Sequence, residues 1–331
     1  NINIVLVEKW KKFMSRIRHV CQLIGGDALI DLIRQLKIRI VGLSYRFKRR
    51  TIKTQNCFIT CTGKIDGIGA QVQAVFSTML FAKEFGITYA HTPFDEIWSD
   101  HSSKEWENFF NLGKDEVIIN EIDKPPLNVV HINHPLFISF KPNTLYIVEH
   151  CHSFVDSNNN AKLYSKLTDR FIEKYQDSSK EDYKSFYEVG KINIAIHVRR
   201  GDVSKTGEHS ERYTDSLYYK YLLNNIKSIL IDLKIDSSIH LYSQGNIDDF
   251  HELKGLDINY HLDECVFTTF NNLVLSDVII MSKSTYSYSA ALLSKAIIIY
   301  EPFWHKPLKD WIISTWNSDS KKATFDKLYL K

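Results

Sequence analysis

The chain has 331 residues, of which 44% are hydrophobic and 24% are charged, and its net charge is +3 at pH 7. This composition is typical of a soluble globular protein with one large or two medium domains. No apolar run reaches the ~18 residues that a membrane-spanning helix needs, and nothing at the start has the form of a secretory signal, so we expect neither feature.

Five cysteines are scattered through the chain, at Cys21, Cys57, Cys61, Cys151 and Cys265. An odd number without regular spacing is typical of reduced thiols in a cytoplasmic protein rather than of a disulfide framework. Cys57 and Cys61 form the one close pair, and without a second pair they do not make a zinc site. We expect both to be strand or core residues.

The first 53 residues are predicted to form a basic helical segment. They hold 13 Lys and Arg against three acids, a net charge of +10, whereas the rest of the chain carries −7. Apolar residues recur at helical spacing over 5–50, with a break at Gly25-Gly26. Such a segment suits peripheral contact with an anionic membrane, and the alternatives are a helical pair docked on the body or an oligomerisation arm. Nucleic acid is a poorer fit, because the body is acidic and holds no nucleic-acid-binding motif.

A strand, a glycine-rich turn and a helix follow. The run 57–62 is apolar and β-branched, residues 63–71 contain three glycines, and 72–85 are helical in pattern. This order places backbone N–H groups and a helix N-terminus against a phosphate. The turn matches neither the Walker loop nor the full dinucleotide fingerprint. A strand over 87–90 comes next.

Residues 91–152 are rich in His and Trp, with no pair at metal-binding spacing on a helix. We expect some of them to line an acceptor site, and those that stand out are His91, Trp98, His101, Trp106, His131, His134, His150 and His152. The segment 157–191 predicts helix and loop, and a domain boundary is expected near Gly190.

Residues 192–202 hold the pattern that is most informative about function. An apolar strand over 192–198 ends abruptly in Arg199, Arg200, Gly201 and Asp202. Open α/β folds bind ligands where strands end, and arginine forks suit phosphate oxygens. The alternative is a surface salt bridge between an arginine and Asp202.

The remainder alternates helix and strand. A polar loop over 203–213 precedes a helix over 218–230, and strands follow over 240–243, 275–282 and 296–300. The turn 283–287 leads into a helix over 288–293, and its Ser and Thr are typical helix caps. The alternation predicts an α/β fold.

Three blocks resemble the superfamily of α1,2-, α1,6- and protein-O-fucosyltransferases. His197-x-Arg199-Arg200-Gly201-Asp202 is similar to its nucleotide-sugar motif, in which an arginine holds the β-phosphate of GDP-fucose. The turn 67–71 with 80–83 resembles the family's first block, and 277–293 resembles its third. Ala70 departs from the pattern, because many relatives carry a polar residue there.

The resemblance implies a GT-B-like α/β fold, with two Rossmann-like domains facing a central cleft, over 54–190 (acceptor side) and 191–331 (nucleotide-sugar side). It implies that the donor is bound by His197, Arg199, Arg200, Gly67, Gly69, Gln71, Ser243, Asp263, Ser284, Thr285 and Tyr286. For catalysis it implies Arg199, Asp202 and Glu208 as the base, with Glu211 or Asp202 as alternatives. No metal or other cofactor is expected, because the chain has no Asp-x-Asp and arginine can supply the counter-charge.

The function implied is inverting transfer of fucose from GDP-fucose to a glycan hydroxyl, in bacterial surface polysaccharide or lipopolysaccharide synthesis. The partners would be the nucleotide-sugar donor, a glycan or lipid-linked glycan acceptor and, through 5–50, the inner face of the cytoplasmic membrane. Two alternatives stay open, namely another nucleotide sugar as donor and a non-catalytic nucleotide- or glycan-binding protein on the same fold.

Overall fold

The structure is a computed structural model that describes residues 56–97, 101–122, 128–132, 140–157, 163–317 and 322–325. The predicted basic helices over 5–50 lie outside these ranges, as do Trp98 and His134. None of the described helices is both long and apolar enough to cross a membrane.

The chain forms two compact units, each assembled from separate stretches of sequence. Among the described residues, the first unit takes 56–63, 76–92 and those within 116–157. The second takes 64–75, 93–115 and everything described from 163 onward. Residues 64–75 and 93–115 therefore fold with the C-terminal part of the chain.

The first unit is built on a five-stranded parallel sheet. Its strands are β1 (Cys57–Cys61), β2 (Thr88–His91), β3 (Val117–Ile118), β4 (Asn128–Ile132) and β5 (Thr144–Val148), in the order β3-β2-β1-β5-β4. Strand β1 lies at the centre and pairs Ile59 with Tyr89 on one side and with Tyr146 on the other. Both cysteines of β1 are buried, and burial raises the pKa of Cys57 to about 11.

A long helix, α1 (Ile68–Phe85), follows β1 and is apolar on nearly all sides. Helices of that kind are buried, and almost every residue from 71 to 82 is. In the first unit its C-terminal half packs through Phe81, whose ring lies 4.5 Å from Phe85 and 5.1 Å from Phe154. Phe154 belongs to the short helix α3 (His152–Ser157).

The second unit contains a seven-stranded sheet. Its strands are β6 (Ile192–His197), β7 (Ser237–Ser243), β8 (Asn259–Leu262), β9 (Val278–Ile280), β10 (Ile297–Tyr300), β11 (Ile312–Asn317) and β12 (Lys322–Phe325). The order is β12-β11-β10-β9-β6-β7-β8, and every pairing is parallel except that of β11 with β12. Because β6 pairs with both β7 and β9, the carboxyl ends of these three strands meet at one edge.

Helices of the second unit pack on this sheet and on one another. They are α2 (Ser103–Phe110), α4 (Thr168–Gln176), α5 (Ser216–Asp232), α6 (Val266–Leu275) and α7 (Thr285–Leu293). Three begin with side-chain caps, supplied by Ser102 to α2, Asp215 to α5 and Ser284 to α7. These caps satisfy backbone N–H groups that a helix cannot pair internally.

The mixed α/β class with two parallel sheets is confirmed. The predicted strands over 57–62, 87–90 and 192–198 are present, each within about a residue of the predicted bounds, a usual uncertainty for element ends. Two elements differ in length. The predicted strand over 275–282 is limited to β9, because Leu275 closes α6, and the helix predicted from 288 begins at Thr285, where Ser284 caps it.

Candidate active site

The turn after β6 presents Arg199 at the carboxyl edge of the sheet. Its Nε lies 3.2 Å from Asp202 Oδ1 and its Nη2 lies 2.5 Å from Asp202 Oδ2. This contact lowers the pKa of Asp202, so the pair is ionised. The two bonds occupy one edge of a guanidinium that carries five donors, and therefore leave Nη1 for a ligand.

Gly201 makes this turn possible. Its φ is +78°, and an added Cβ would lie 3.0 Å from Gln244 Cδ. A residue with a side chain would thus be strained by the positive φ and would displace the end of the Gln244 side chain.

Arg200 is engaged with the protein itself. Its Nη1 donates to the carbonyl oxygen of Arg199 (2.9 Å), and its Nη2 donates to that of Thr214 (3.1 Å). The guanidinium also lies 4.4 Å from the ring centroid of Tyr213. Arg200 therefore braces the turn through both of its amino groups, whereas the bonds of Arg199 to Asp202 use only Nε and Nη2.

His197, the last residue of β6, is neutral. Its Nδ1 lies 2.7 Å from Ser282 Oγ, and its ring lies 5.3 Å from that of Tyr286. Burial, assisted by the charge of Arg199, lowers the pKa of His197 to about 3. Its role at neutral pH is therefore that of a hydrogen-bonding ring rather than of a cation.

This lowered pKa makes a testable contribution to stability. Below pH ~6.5 the unfolded chain binds a proton at His197 and the folded chain does not, so acid favours unfolding. Because of His197, we expect the free energy of unfolding to fall by about 1–2 kcal/mol when the pH is lowered from 7 to 5. Urea unfolding at both pH values gives the fall in the free energy of unfolding for the wild type and for His197→Gln. The difference between these two falls is the contribution of His197. Equal losses in the two proteins would contradict it.

Two helix N-termini meet beside the arginine turn. Gly67 and Gly69 lie at the start of α1, and Ser284 caps α7 by accepting the backbone N–H of Tyr286 (3.2 Å). An added Cβ on Gly69 would lie 2.6 Å from the Thr285 carbonyl carbon and from Tyr286 Cα. Glycine thus allows the two backbones to touch, which brings two sets of N–H groups and two positive helix ends to one place.

Asp263 lies at the end of β8 with its carboxylate fixed. The Gly245 N–H donates to both of its oxygens (3.3 and 3.4 Å), and the Asp263 N–H donates to the Ser243 carbonyl oxygen (3.0 Å). Ser243 Oγ in turn donates to the Val198 carbonyl oxygen (2.7 Å). Strands β6, β7 and β8 are therefore joined at their carboxyl ends by hydrogen bonds.

These groups line one cavity of about 840 Å³ in the second unit. The predicted site residues that line it are Gly67, Gly69, His197, Arg199, Arg200, Asp202, Ser243, Asp263, Ser284, Thr285 and Tyr286. The volume is within the range of small-molecule sites.

Other predicted site residues lie elsewhere. Gln71 Nε2 donates to the carbonyl oxygens of Asp66 (2.8 Å) and Glu96 (2.7 Å), so this side chain holds two loops together. Glu208 is exposed and is not among the lining residues. Glu211 is also exposed, and it pairs with Arg212 (3.2 Å). Of the three candidates for the base, Asp202 is the one that lines the cavity.

One wall of the cavity is aromatic, and the sequence did not show which residues would form it. His101 and Trp106 line it, and their rings lie 4.4 and 4.3 Å from that of Phe267. His101 Nδ1 also lies 3.4 Å from Glu105 Oε1. The density of His and Trp in 91–152 was a visible signal, but which of them reach this cavity depends on residues 93–115 folding with the second unit.

In the ranges that the structure describes, no group of three or more His, Cys, Asp and Glu side chains is placed to hold a metal ion. The arrangement offers a guanidinium, two helix N-termini and fixed carboxylates. Together these groups can bind an anionic ligand that also carries hydrogen-bond donors.

No family model and no curated protein matches the chain. Among solved structures, POFUT1 in complex with GDP is 14% identical with a TM-score of 0.41, over 74% of this chain and 97% of its own. NodZ α-1,6-fucosyltransferase soaked with GDP-fucose is 14% identical with a TM-score of 0.42, over 82% and 99%. A mutant of FUT1 from Arabidopsis thaliana with GDP is 14% identical with a TM-score of 0.36, over 80% and 76%. Because these identities and TM-scores are low, the similarity to solved structures does not indicate a function, and the function is inferred from the cavity and the motifs.

Proposed function

We propose that this protein is an inverting, metal-independent glycosyltransferase that transfers fucose from GDP-fucose to a glycan hydroxyl. The observation that carries the proposal is Arg199, which lines the same cavity as the N-termini of α1 and α7. A diphosphate is the ligand that suits this set, because it accepts hydrogen bonds from an arginine fork and from backbone N–H groups at once.

Charge on the leaving diphosphate would be stabilised by Arg199. As the glycosidic bond breaks, negative charge grows on the phosphate oxygen, and a donor already in place stabilises it without reorganisation. Asp202 supports this function by fixing the guanidinium through two bonds before any ligand arrives. The donors left on Nη1 and on the helix N-termini are then available to phosphate.

The base that takes the acceptor proton is proposed to be Glu208, with Glu211 and Asp202 as alternatives. The low pKa of Asp202 makes it a weak proton acceptor while Arg199 is bound to it. Glu208 lies six residues after Asp202, in the loop that follows the arginine turn, and would have to reach the acceptor from there. Loss of transfer with retained GDP binding in one of the three carboxylate-to-amide variants identifies the base.

The wider setting is part of the same proposal. The two compact units correspond in this view to the two Rossmann-like domains of a GT-B enzyme. The acceptor is proposed to be a glycan or lipid-linked glycan of bacterial surface polysaccharide or lipopolysaccharide synthesis. Residues 5–50, with their excess of Lys and Arg, would contact the inner face of the cytoplasmic membrane.

Nucleotide binding is the first prediction to test. A ligand at 100 times its dissociation constant stabilises a protein by about 2.7 kcal/mol, which raises the melting temperature of a chain of this size by about 4 °C. We expect GDP and GDP-fucose to produce such a shift in the presence of EDTA, and UDP and CMP not to do so. Transfer of labelled fucose to a glycan panel then tests the reaction.

The outcomes separate the candidate functions. A shift with UDP or CMP instead of GDP would support another sugar donor, the alternative that Ala70 favours. A GDP shift without turnover would support a non-catalytic binding protein, which the exposed position of Glu208 favours. No shift with any nucleotide would contradict the assignment, and Arg199 with Asp202 would then be a salt bridge at a strand end.

A further inference from the structure

One buried carboxylate in the second unit has no part in the proposed chemistry. Glu301 follows β10 and is 3% exposed. Its Oε2 accepts a hydrogen bond from Thr214 Oγ1 (2.7 Å), and its Oε1 lies 3.3 Å from Lys283 Nζ. Burial raises the pKa of this carboxyl, because the ionised form is less stable in the protein interior than in water. Glu301 is not among the residues that line the cavity.

Thr214 connects Glu301 to the arginine turn. The Thr214 carbonyl oxygen accepts from Arg200 Nη2 (3.1 Å), and Arg200 Nη1 donates to the carbonyl oxygen of Arg199 (2.9 Å). Glu301 thereby fixes the peptide on which Arg200 braces the turn. Since Arg199 has its own side chain in the cavity, a shift of Thr214 would move the phosphate-binding guanidinium.

Lys283 connects Glu301 to the second phosphate-binding turn. It directly precedes Ser284, the cap of α7, and that cap lines the cavity with Thr285 and Tyr286. The Lys283 side chain is largely covered, with 25% of its surface exposed. Its ion pair with Glu301 therefore holds the start of α7 against the end of β10.

We infer that Glu301 is a positioning residue that ties the Arg199 turn and the α7 N-terminus to one buried carboxylate. This inference rests on the proposed function, because it assigns both turns to the phosphates of the ligand. A carboxylate suits the position since its two oxygens accept from a hydroxyl and from an ammonium group at the same time. Fixing both turns before binding aligns their donors with a diphosphate and avoids the cost of ordering them on binding.

The test compares a ligand that has phosphates with one that has none. We expect Glu301→Gln to weaken GDP binding by about tenfold or more, since small misplacements of donors have large effects, and to leave guanosine binding within about twofold. Thr214→Val should behave in the same way, because it removes the hydroxyl but keeps the shape. Thr214→Ser keeps the hydroxyl and should restore GDP affinity. Calorimetry well below the melting temperature of each variant measures these affinities.

Asp277→Asn is the matched control. Asp277 Oδ2 accepts the backbone N–H of Asn193 (2.8 Å) at the amino end of β6, the end opposite the cavity. This variant should lower the melting temperature and leave GDP affinity unchanged. If Glu301→Gln fails to fold, Thr214→Val with its Thr214→Ser rescue gives the same comparison.

The results distinguish the inference from the proposed function. A wild type that binds no nucleoside diphosphate contradicts the proposed function. A wild type that binds GDP, with variants at Glu301 and Thr214 that bind it equally well, contradicts only the inference. Equal losses of GDP and guanosine affinity would also overturn the inference, because they indicate a general structural defect rather than misplaced phosphate donors.

Discussion

Replacement of Arg199 by alanine is expected to lower kcat/KM for sugar transfer by about 10²- to 10³-fold, the usual cost of losing one preorganised donor to a developing negative charge. The loss should fall mainly on kcat, because the charge on the leaving diphosphate grows as the bond breaks. Arg199→Lys should restore little of the rate, since an ammonium group cannot keep the two bonds to Asp202 and still present a second edge to phosphate. Steady-state kinetics with GDP-fucose measures both variants.

Arg212→Ala is the matched control for this experiment. Arg212 lies in the loop after the same turn, pairs with the exposed Glu211 and stacks 4.9 Å from the Trp304 ring centroid, outside the lining of the cavity. Arg212→Ala removes the same charge from the same part of the protein, and its kcat should stay within about threefold of the wild type because Arg212 does not line the cavity. Near-normal turnover in Arg199→Ala would contradict the assignment of this arginine to the diphosphate.

Substitution of Gly69 by alanine is expected to have the largest effect on stability. The added methyl group would lie 2.6 Å from two backbone atoms of residues 285 and 286, and backbone cannot move aside as a side chain can. We expect a loss of about 3 kcal/mol, at the upper end for overpacking, and a fall in melting temperature of about 4 °C or more. Separation of α1 from α7 would also pull apart the two helix N-termini, so GDP binding should weaken as well.

The neighbouring glycine supplies the control. A Cβ added to Gly67 would meet no atom within 4 Å, although this residue also lines the cavity. Gly67→Ala should therefore keep its melting temperature within about 2 °C of the wild type, as for a substitution without clashes. If Gly67→Ala and Gly69→Ala were equally stable, the close approach of α1 and α7 would not be present in solution.

Local patterns were sufficient to predict the carboxyl edge of the second sheet. The apolar run 192–198 predicted a buried strand, and the residues immediately after it could be placed at a sheet edge without knowledge of the rest of the chain. The same holds for Ser243, which ends β7, and for Ser284, which caps α7. Each of these positions is determined by a few neighbouring residues, so a short stretch of sequence is enough to predict it.

Contacts between distant segments could not be predicted in this way. Gln71 was expected to face the ligand, yet its amide bonds the carbonyl oxygens of Asp66 and Glu96, the second of which lies in a loop that the turn pattern does not reveal. Arg200 looks equivalent to Arg199 in sequence, and its partner Thr214 is 14 residues away. Glu301 carried no signal, because its partners come from two other parts of the chain.

The discontinuous make-up of the second unit has a consequence for folding and for protein engineering. Ser289 Oγ donates to the carbonyl oxygen of Gly69, a contact that spans 220 residues. During synthesis the glycine turn emerges long before its partners in the C-terminal part of the chain. The cavity can therefore form only after those partners have been made, and contacts between such distant residues form slowly. A C-terminal fragment cut near residue 160 would retain the arginine turn but lack Gly69 and His101. Chimaeras that exchange C-terminal halves between related chains would therefore combine two cavity walls that did not evolve together.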